Sequence, residues 1–169
     1  WHVSAITPIG KISYSLNVAG RHNVKNSLAA TSCALAAGIP ITTIVTGLQA
    51  FRAVKGRSFS QAVHINGRDL LLIDDTYNSN PDSMKVAIDS LSEMAEPRLV
   101  VMGDMGEVGE QGLAFHAEAG EYAQNKGIQQ LFVLGDLSRE AVKHFKGAQH
   151  FETIDALLTA VSNTVGDVN

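Results

Sequence analysis

The chain has one cysteine, Cys33, in 169 residues, which excludes an internal disulfide framework and any paired-cysteine metal site. It has no apolar run near the roughly 18 residues that a membrane span needs. It also lacks a basic surplus: 13 Lys and Arg face 17 Asp and Glu, for a net charge of −4. That balance argues against nucleic acid or an anionic membrane as the main partner. Charged residues are only 18% and hydrophobic residues 45%, so a sizeable core forms and disorder is excluded as the main state. The first residue is not Met, and there is no basic segment leading into an apolar leader. Trp1-His2-Val3 opens directly into strand-like sequence, so the chain reads as a piece of a longer polypeptide in a reducing, cytoplasmic setting. G-x-S-x-G, H-E-x-x-H, G-x-G-x-x-G and GxxxxGK[ST] are all missing. With no nucleophile–base pair in view, a self-sufficient active site is not expected.

What is present divides in two. Residues 1–57 read as a short strand region over 9–16 followed by two helices. Val24, Leu28, Cys33 and Leu35 give the first helix an apolar stripe, with Cys33 as a small core residue among alanines. Gly38 and Pro40 stop it. The second helix covers 42–51, with Ile44, Val45, Leu48 and Phe51 on one side, and Gly56-Arg57 follows as a hinge candidate. Beyond it, Asn66-Gly67 joins strands 60–65 and 69–73, the strongest short hairpin signal. Strands 99–102, 131–134 and 149–151 then alternate with helices 81–94, 111–126, 138–145 and one capped by Thr153. That last helix carries Ile154, Leu158, Val161 and Val165, and no obvious strand follows it, so the domain is expected to lack its last element.

Apolar strands without alternation are covered on both faces, as in parallel sheets. The alternation therefore predicts a doubly wound, mostly parallel α/β layer with an N-terminal β-hairpin, and ligands at the strands' carboxyl ends. Those ends, 74–80, 103–110 and 135–136, are rich in Gly, Asn and Asp.

Three clusters could carry chemistry. In Gly20-Arg21-His22-Asn23-Val24-Lys25-Asn26, the two amides stand three apart on one helical face and could read a purine edge, or Asn23 is simply the helix cap. In Asp74-Asp75-Thr76-Tyr77-Asn78-Ser79-Asn80-Pro81, a carboxylate could take sugar hydroxyls and the following helix N-terminus could hold an anion, or the string is a polar turn. If the strand continues, the two carboxylates point to opposite faces and only one meets a given ligand. Asn80 suits the N-cap and Pro81 the first helical position. In Gly103-Asp104-Met105-Gly106-Glu107-Val108-Gly109-Glu110, three acids repel phosphate, so a cation, an ammonium group or hydrogen bonding fits better than a phosphate loop. His116, beside Ala119, Gly120 and Ala123, reads as packing or capping, and Arg57 as a lone cation within reach of phosphate or ribose.

Taken in order, Gly20-x-His22-Asn23-x-x-Asn26-x-x-Ala29-Ala30, Gly56-Arg57, Asp74 to Ser83, and Gly103-Asp104-Met105-Gly106-Glu107-x-Gly109 with His116 resemble the Mur ligases of peptidoglycan synthesis. The Asp-Asp-Thr-Tyr-Asn-Ser-Asn-Pro and Gly-Asp-Met-Gly-Glu strings resemble the branch that joins D-alanyl-D-alanine to UDP-N-acetylmuramoyl-tripeptide. The resemblance implies a three-domain ligase in which residues 1–57 are the tail of the central ATPase domain and 58–169 a Rossmann-like third domain. It implies ATP and Mg2+, with amide formation through an acyl phosphate, and with the P-loop, carbamylated lysine and metal ligands in a central part not present here. A fragment of this extent is expected to be inactive alone, and the family's later Lys-Gly-Ser segment is not found in it. By resemblance, His22, Asn23 and Asn26 lie at the adenine side of ATP. Arg57, Asp75 and Tyr77 approach its ribose and phosphates, and Asn78, Ser79 and Asn80 take the incoming dipeptide. The alternatives are another Mur ligase with a different amino acid, or a non-catalytic nucleotide-binding module.

Overall fold

A computed structural model describes residues 1–166. Strands β1 (His2–Thr7) and β2 (Gly10–Ser15) form an antiparallel hairpin. The register pairs Val3 with Tyr14 and Ala5 with Ile12, so one face of the ribbon is apolar and the serines take the other. That face packs on helices α1 (Arg21–Ala36) and α2 (Ile41–Ala50) around buried Val3, Ile12, Tyr14, Leu16 and Ile44. The buried Tyr14 hydroxyl is satisfied by Ser27 Oγ at 2.7 Å. On α1, Val24, Leu28, Ala34 and Leu35 meet this core, whereas Cys33 is exposed and not a core residue. Five residues beyond Leu28, Cys33 is rotated off the buried stripe. Phe51, expected on the apolar side of α2, caps the helix and is exposed.

The hairpin of β3 (Phe59–Ile65) and β4 (Arg68–Asp74) turns at Asn66 and Gly67, whose φ values of 50° and 81° are those of a type I′ turn. It forms a sheet of its own rather than extending the parallel one, so residues 74–80 do not follow a strand of that sheet. The parallel sheet has β5 (Leu99–Gly103), β6 (Gln130–Leu134) and β7 (Gln149–Phe151) in that order. Helices α3 (Pro81–Ser92), α4 (Gly112–Asn125) and the short α5 (Arg139–Val142) enclose one face, with Ile88, Met102, Ala119, Ala123, Leu131, Val133 and Ala141 as its core. On the other face Phe132 meets Phe151 edge-on, centroids 5.3 Å apart, and α6 (Ile154–Gly166) runs against β6 and β7.

The central strand β6 is covered on both sides, as its unbroken apolar run predicts. The edge strand β5 is not: Val101 is 51% exposed on the α6 side, because no element among the described residues lies over it. The inward residue of α6 is Leu157, while Ile154 and Leu158 face solvent. The expected 138–145 helix is regular only over α5 and ends in turns. Close packing explains its approach to α4: a Cβ on Gly120 would stand 2.5 Å from the Ala141 carbonyl oxygen. No helix among the described residues is long and apolar enough to cross a membrane.

Candidate functional site

The segment between α2 and β3 is stitched to the segment after β4. The Gly56 N–H donates to Asp74 Oδ2 at 3.1 Å, and Thr76 donates to Asp74 Oδ1 through its N–H at 3.2 Å and its hydroxyl at 2.6 Å. The Ser58 N–H donates to Asp75 Oδ1 at 2.7 Å, its hydroxyl approaches the same oxygen at 3.3 Å, and the Tyr77 N–H donates to the Gly56 carbonyl at 2.9 Å. Both adjacent carboxylates therefore serve residues 56–58, where alternation would have sent them to opposite faces. The Thr76 hydroxyl holds the Asp74 carboxyl below its usual range against the opposing effect of burial, with the Thr76 and Gly56 N–H groups adding to the hold. Gly56 is conformationally fixed, with φ of 81° and room for only a hydrogen where a Cβ would sit 3.0 Å from Tyr77 N. Gly56 of the hinge candidate is thus buried and hydrogen-bonded in this conformation, while Arg57 is exposed.

This base holds two groups out. The Arg57 guanidinium stands 4.0 Å from the centre of the Tyr77 ring, and Tyr77 is 68% exposed. A cation on an open aromatic face offers stacking and an anion contact together. Of the residues expected at the nucleotide, Arg57, Asp75 and Tyr77 are brought together here. Sequence reasoning missed Ser58, the buried link to Asp75, whose φ of 51° has no signature in a serine.

Asn78 is exposed, and Asn80 is committed to α3. Its Oδ1 accepts from the Ser83 N–H at 2.8 Å and its own N–H donates to Ser83 Oγ at 2.8 Å, a complete capping box followed by Pro81. Asp82 adds a negative charge to that first turn, which opposes an incoming anion.

At the start of α1 the N-cap is Gly20, so Asn23 is not the cap. The Asn23 amide donates to the Ala19 carbonyl at 2.8 Å, and its oxygen accepts from Asn26 Nδ2 at 3.3 Å. Among the described residues, His22 Nδ1 is buried without a hydrogen-bond partner. His22, Arg21 and Lys25 line a cleft of about 340 Å3 whose far wall is Ser90, Asp89 and Lys126. The far wall comes from α3 and the end of α4, a pairing that no local sequence signal announces. No hydrogen bond among the described residues joins the Asn23 group to the Arg57–Tyr77 group.

The loop after β5 is held at two adjacent points. Asp104 Oδ1 accepts from the Ser138 N–H at 2.7 Å and Oδ2 from the Leu137 N–H at 3.3 Å. Burial disfavours the ionised Asp104, but these donors outweigh it and keep its carboxyl below the usual range. Gly135 permits the contact, since a Cβ there would lie 2.3 Å from Asp104 Oδ1. The next residue, Met105, donates its N–H to Nε2 of the fully buried His116 at 3.0 Å. Asp104, Asp136, His150 and Glu152 line a crevice of about 350 Å3 at the strand ends. Among the described residues no group of three or more His, Cys, Asp or Glu converges to hold a metal ion.

Comparison with known proteins agrees with this architecture. Residues 42–168 match the family model described as Mur ligase, glutamate ligase domain. The UDP-N-acetylmuramoyl-tripeptide–D-alanyl-D-alanine ligase of Haemophilus influenzae is 41% identical over 94% of this chain, and that of Escherichia coli 35% identical over 95%. A crystal structure of MurF from Acinetobacter baumannii superposes with a TM-score of 0.85 at 31% identity, covering 97% of this chain and 35% of its own. The chain spans 35% of the length of each of the two curated relatives. By its family match and its fold, the chain belongs to the Mur ligase family.

Proposed function

We infer that this chain is the carboxyl-terminal part of an ATP-dependent ligase that joins D-alanyl-D-alanine to UDP-N-acetylmuramoyl-tripeptide in the cytoplasm. The single observation that carries the reading is the Arg57–Tyr77 pair, displayed on a rigid base in a chain 41% identical to a ligase of that name. The two separate cores support a boundary near residue 57, with 1–57 completing the central domain and 58–169 forming the third.

ATP would supply the activation of the tripeptide carboxylate by phosphoryl transfer. The residues present fit one side of such a nucleotide: an open aromatic face, a fixed guanidinium, and carboxylates that hold the turn beneath them. In this reading Arg57 and Tyr77 hold the ribose and phosphates, Asp75 acts from the same surface, and His22, Asn23 and Asn26 approach the adenine. Asn78 and Ser79 contact the dipeptide, while Asn80 acts mainly by starting α3. Magnesium would be held by the central domain. Much of the rate would come from positioning two substrates in one cleft.

The test is phosphate release by the full-length enzyme, with each amine offered in turn. Turnover should require the UDP-tripeptide and D-alanyl-D-alanine together, and this chain alone should show none. Turnover with a single amino acid in place of the dipeptide would move the protein to another branch of the family. Turnover by the isolated chain would overturn the division of labour.

A further inference from the structure

We propose that Arg21 and Lys25 on α1 and Glu93 at the end of α3 form an ion-pair strap that fixes how the two lobes of this chain dock on each other; this rests on the two-lobe reading above. The lobes share no apolar cluster among the described residues: one core gathers around Tyr14 and Ile44, the other around Val133 and Ala123. Lobes joined without a large apolar interface move against each other unless polar contacts hold them. They touch at the start of α1. Gly20 is buried there with φ of 82°, and a Cβ on it would stand 2.7 Å from Ser90 Oγ of α3. His22 Nδ1 would lie 2.6 Å from the same Cβ, so this close approach needs glycine.

The cleft of about 340 Å3 opens beside that contact, and its two walls carry opposite charges. Arg21 and Lys25, four apart on one face of α1, line one side. Asp89 and Glu93 of α3 line the other, where Asp89 is already paired with Lys126 and accepts from the Tyr122 hydroxyl. Arg21, Lys25 and Glu93 are exposed, and none of their side chains has a hydrogen-bond or ion-pair partner among the described residues. Two of them also sit at the unfavourable end of their helix. Arg21 is the first residue of α1, at the positive end of the macrodipole with no acid in that turn. Glu93 is the C-cap of α3, at the negative end with no base in the last turn. Narrowing the cleft brings these charges together and relieves both mismatches. The strap matters to the site because Asn23 and Asn26 stand on α1, while Arg57 and Tyr77 stand on the stitched turn of the other lobe. The docking of the lobes sets the separation of these two groups.

The experiment uses the full-length enzyme, with Cys33 and its other reactive thiols replaced. Spin labels on Ala29→Cys and Asn125→Cys, exposed positions flanking the two walls, report the width of the junction by double electron–electron resonance. Glu93→Lys should lengthen and broaden the distance distribution, and Glu93→Gln should do so to a smaller degree. Arg21→Glu and Lys25→Glu combined with Glu93→Lys should return it to that of the wild type. A distribution unmoved by Glu93→Lys would overturn the proposal, as would a combined variant no closer to wild type than Glu93→Lys alone. All three side chains are exposed, so the variants should keep the fold, which urea midpoints verify. The distance is read without turnover, so it stands apart from the substrate assignment. A distance that shifts and recovers while the KM for ATP stays fixed supports the strap and counts against the nucleotide placement above.

Discussion

Arg57 and Tyr77 are adjacent in space because Gly56 and Tyr77 are bonded through the backbone, the Tyr77 N–H reaching the Gly56 carbonyl at 2.9 Å. The pair therefore has its geometry set by main chain, not by the two side chains finding each other. An exposed cation–π contact is worth about 0.5–1 kcal/mol, too little to matter for folding but enough to orient a guanidinium. In the full enzyme Tyr77→Ala should raise the KM for ATP by roughly two- to fivefold, with thermal stability nearly unchanged. Tyr77→Phe should stay close to wild type. A KM for ATP untouched by Tyr77→Ala would remove this pair from the nucleotide.

Gly56 and Gly38 offer a matched comparison. Their φ values, 81° and 75°, carry a similar penalty for a side chain, but a Cβ meets Tyr77 at Gly56 and open space at Gly38. Gly38→Ala should cost about 1–2 kcal/mol of stability from the left-handed conformation alone. Gly56→Ala should cost about 1–3 kcal/mol more, as overpacking does, and should also raise the KM for ATP by moving Tyr77. Urea midpoints of the two variants measure the difference; equal losses would mean that the Gly56–Tyr77 contact gives way freely.

What could be read in advance follows from how local the cause is. Asn66-Gly67 announced its hairpin and Asn80-Pro81 its helix because a turn or cap is decided within four residues. Strand 149–151 was legible for the same reason, being short, apolar-ended and bounded by turns. Cys33, Ile154 and Leu158 were misjudged because an apolar residue names its face only once a neighbouring element exists. Val101 shows the same limit from the other side: its run is as apolar as that of β6, but its position at the sheet edge decides its exposure. The residues of the site were nameable, but their joints were not. Nothing in Asp74-Asp75 announces that both carboxylates turn back onto residues 56–58, since that contact spans 17 and 18 positions.

Asn80 separates a structural role from a substrate role. Its side chain is spent on the capping box, so Asn80→Ala should lower stability by about 1 kcal/mol. Asn78, exposed and outside the box, should change stability by no more than about 0.5 kcal/mol when replaced by Ala. Denaturant titration of both variants, followed by the KM for D-alanyl-D-alanine in the full enzyme, tells the roles apart. An Asn80→Ala variant that kept its stability and lost the dipeptide would reassign the residue to binding.

The Asp104 clamp predicts how the fold responds to acid. Its carboxyl is held below the usual range, so in the folded state the proton leaves at lower pH than in the unfolded chain, near 3.9. The unfolded state therefore binds the proton more readily below that point. The contribution is complete above the unfolded value and disappears as pH falls through the folded one. Asp74 and Asp89 are depressed in the same direction; at Asp89 burial is the largest single effect and opposes ionisation, but Lys126 and Tyr122 together outweigh it, so the whole chain should lose stability progressively below about pH 4. Asp104→Asn should be less stable than wild type at pH 7, because the neutral amide accepts more weakly from the Ser138 and Leu137 N–H groups, and it presents an NH2 to one of them. As the pH drops, the two stability curves should converge, since protonation weakens the wild-type clamp as well. Unfolding midpoints from about pH 7 down to pH 3 test this; a gap that stayed constant would mean that Asp104 holds the loop by shape and not by charge.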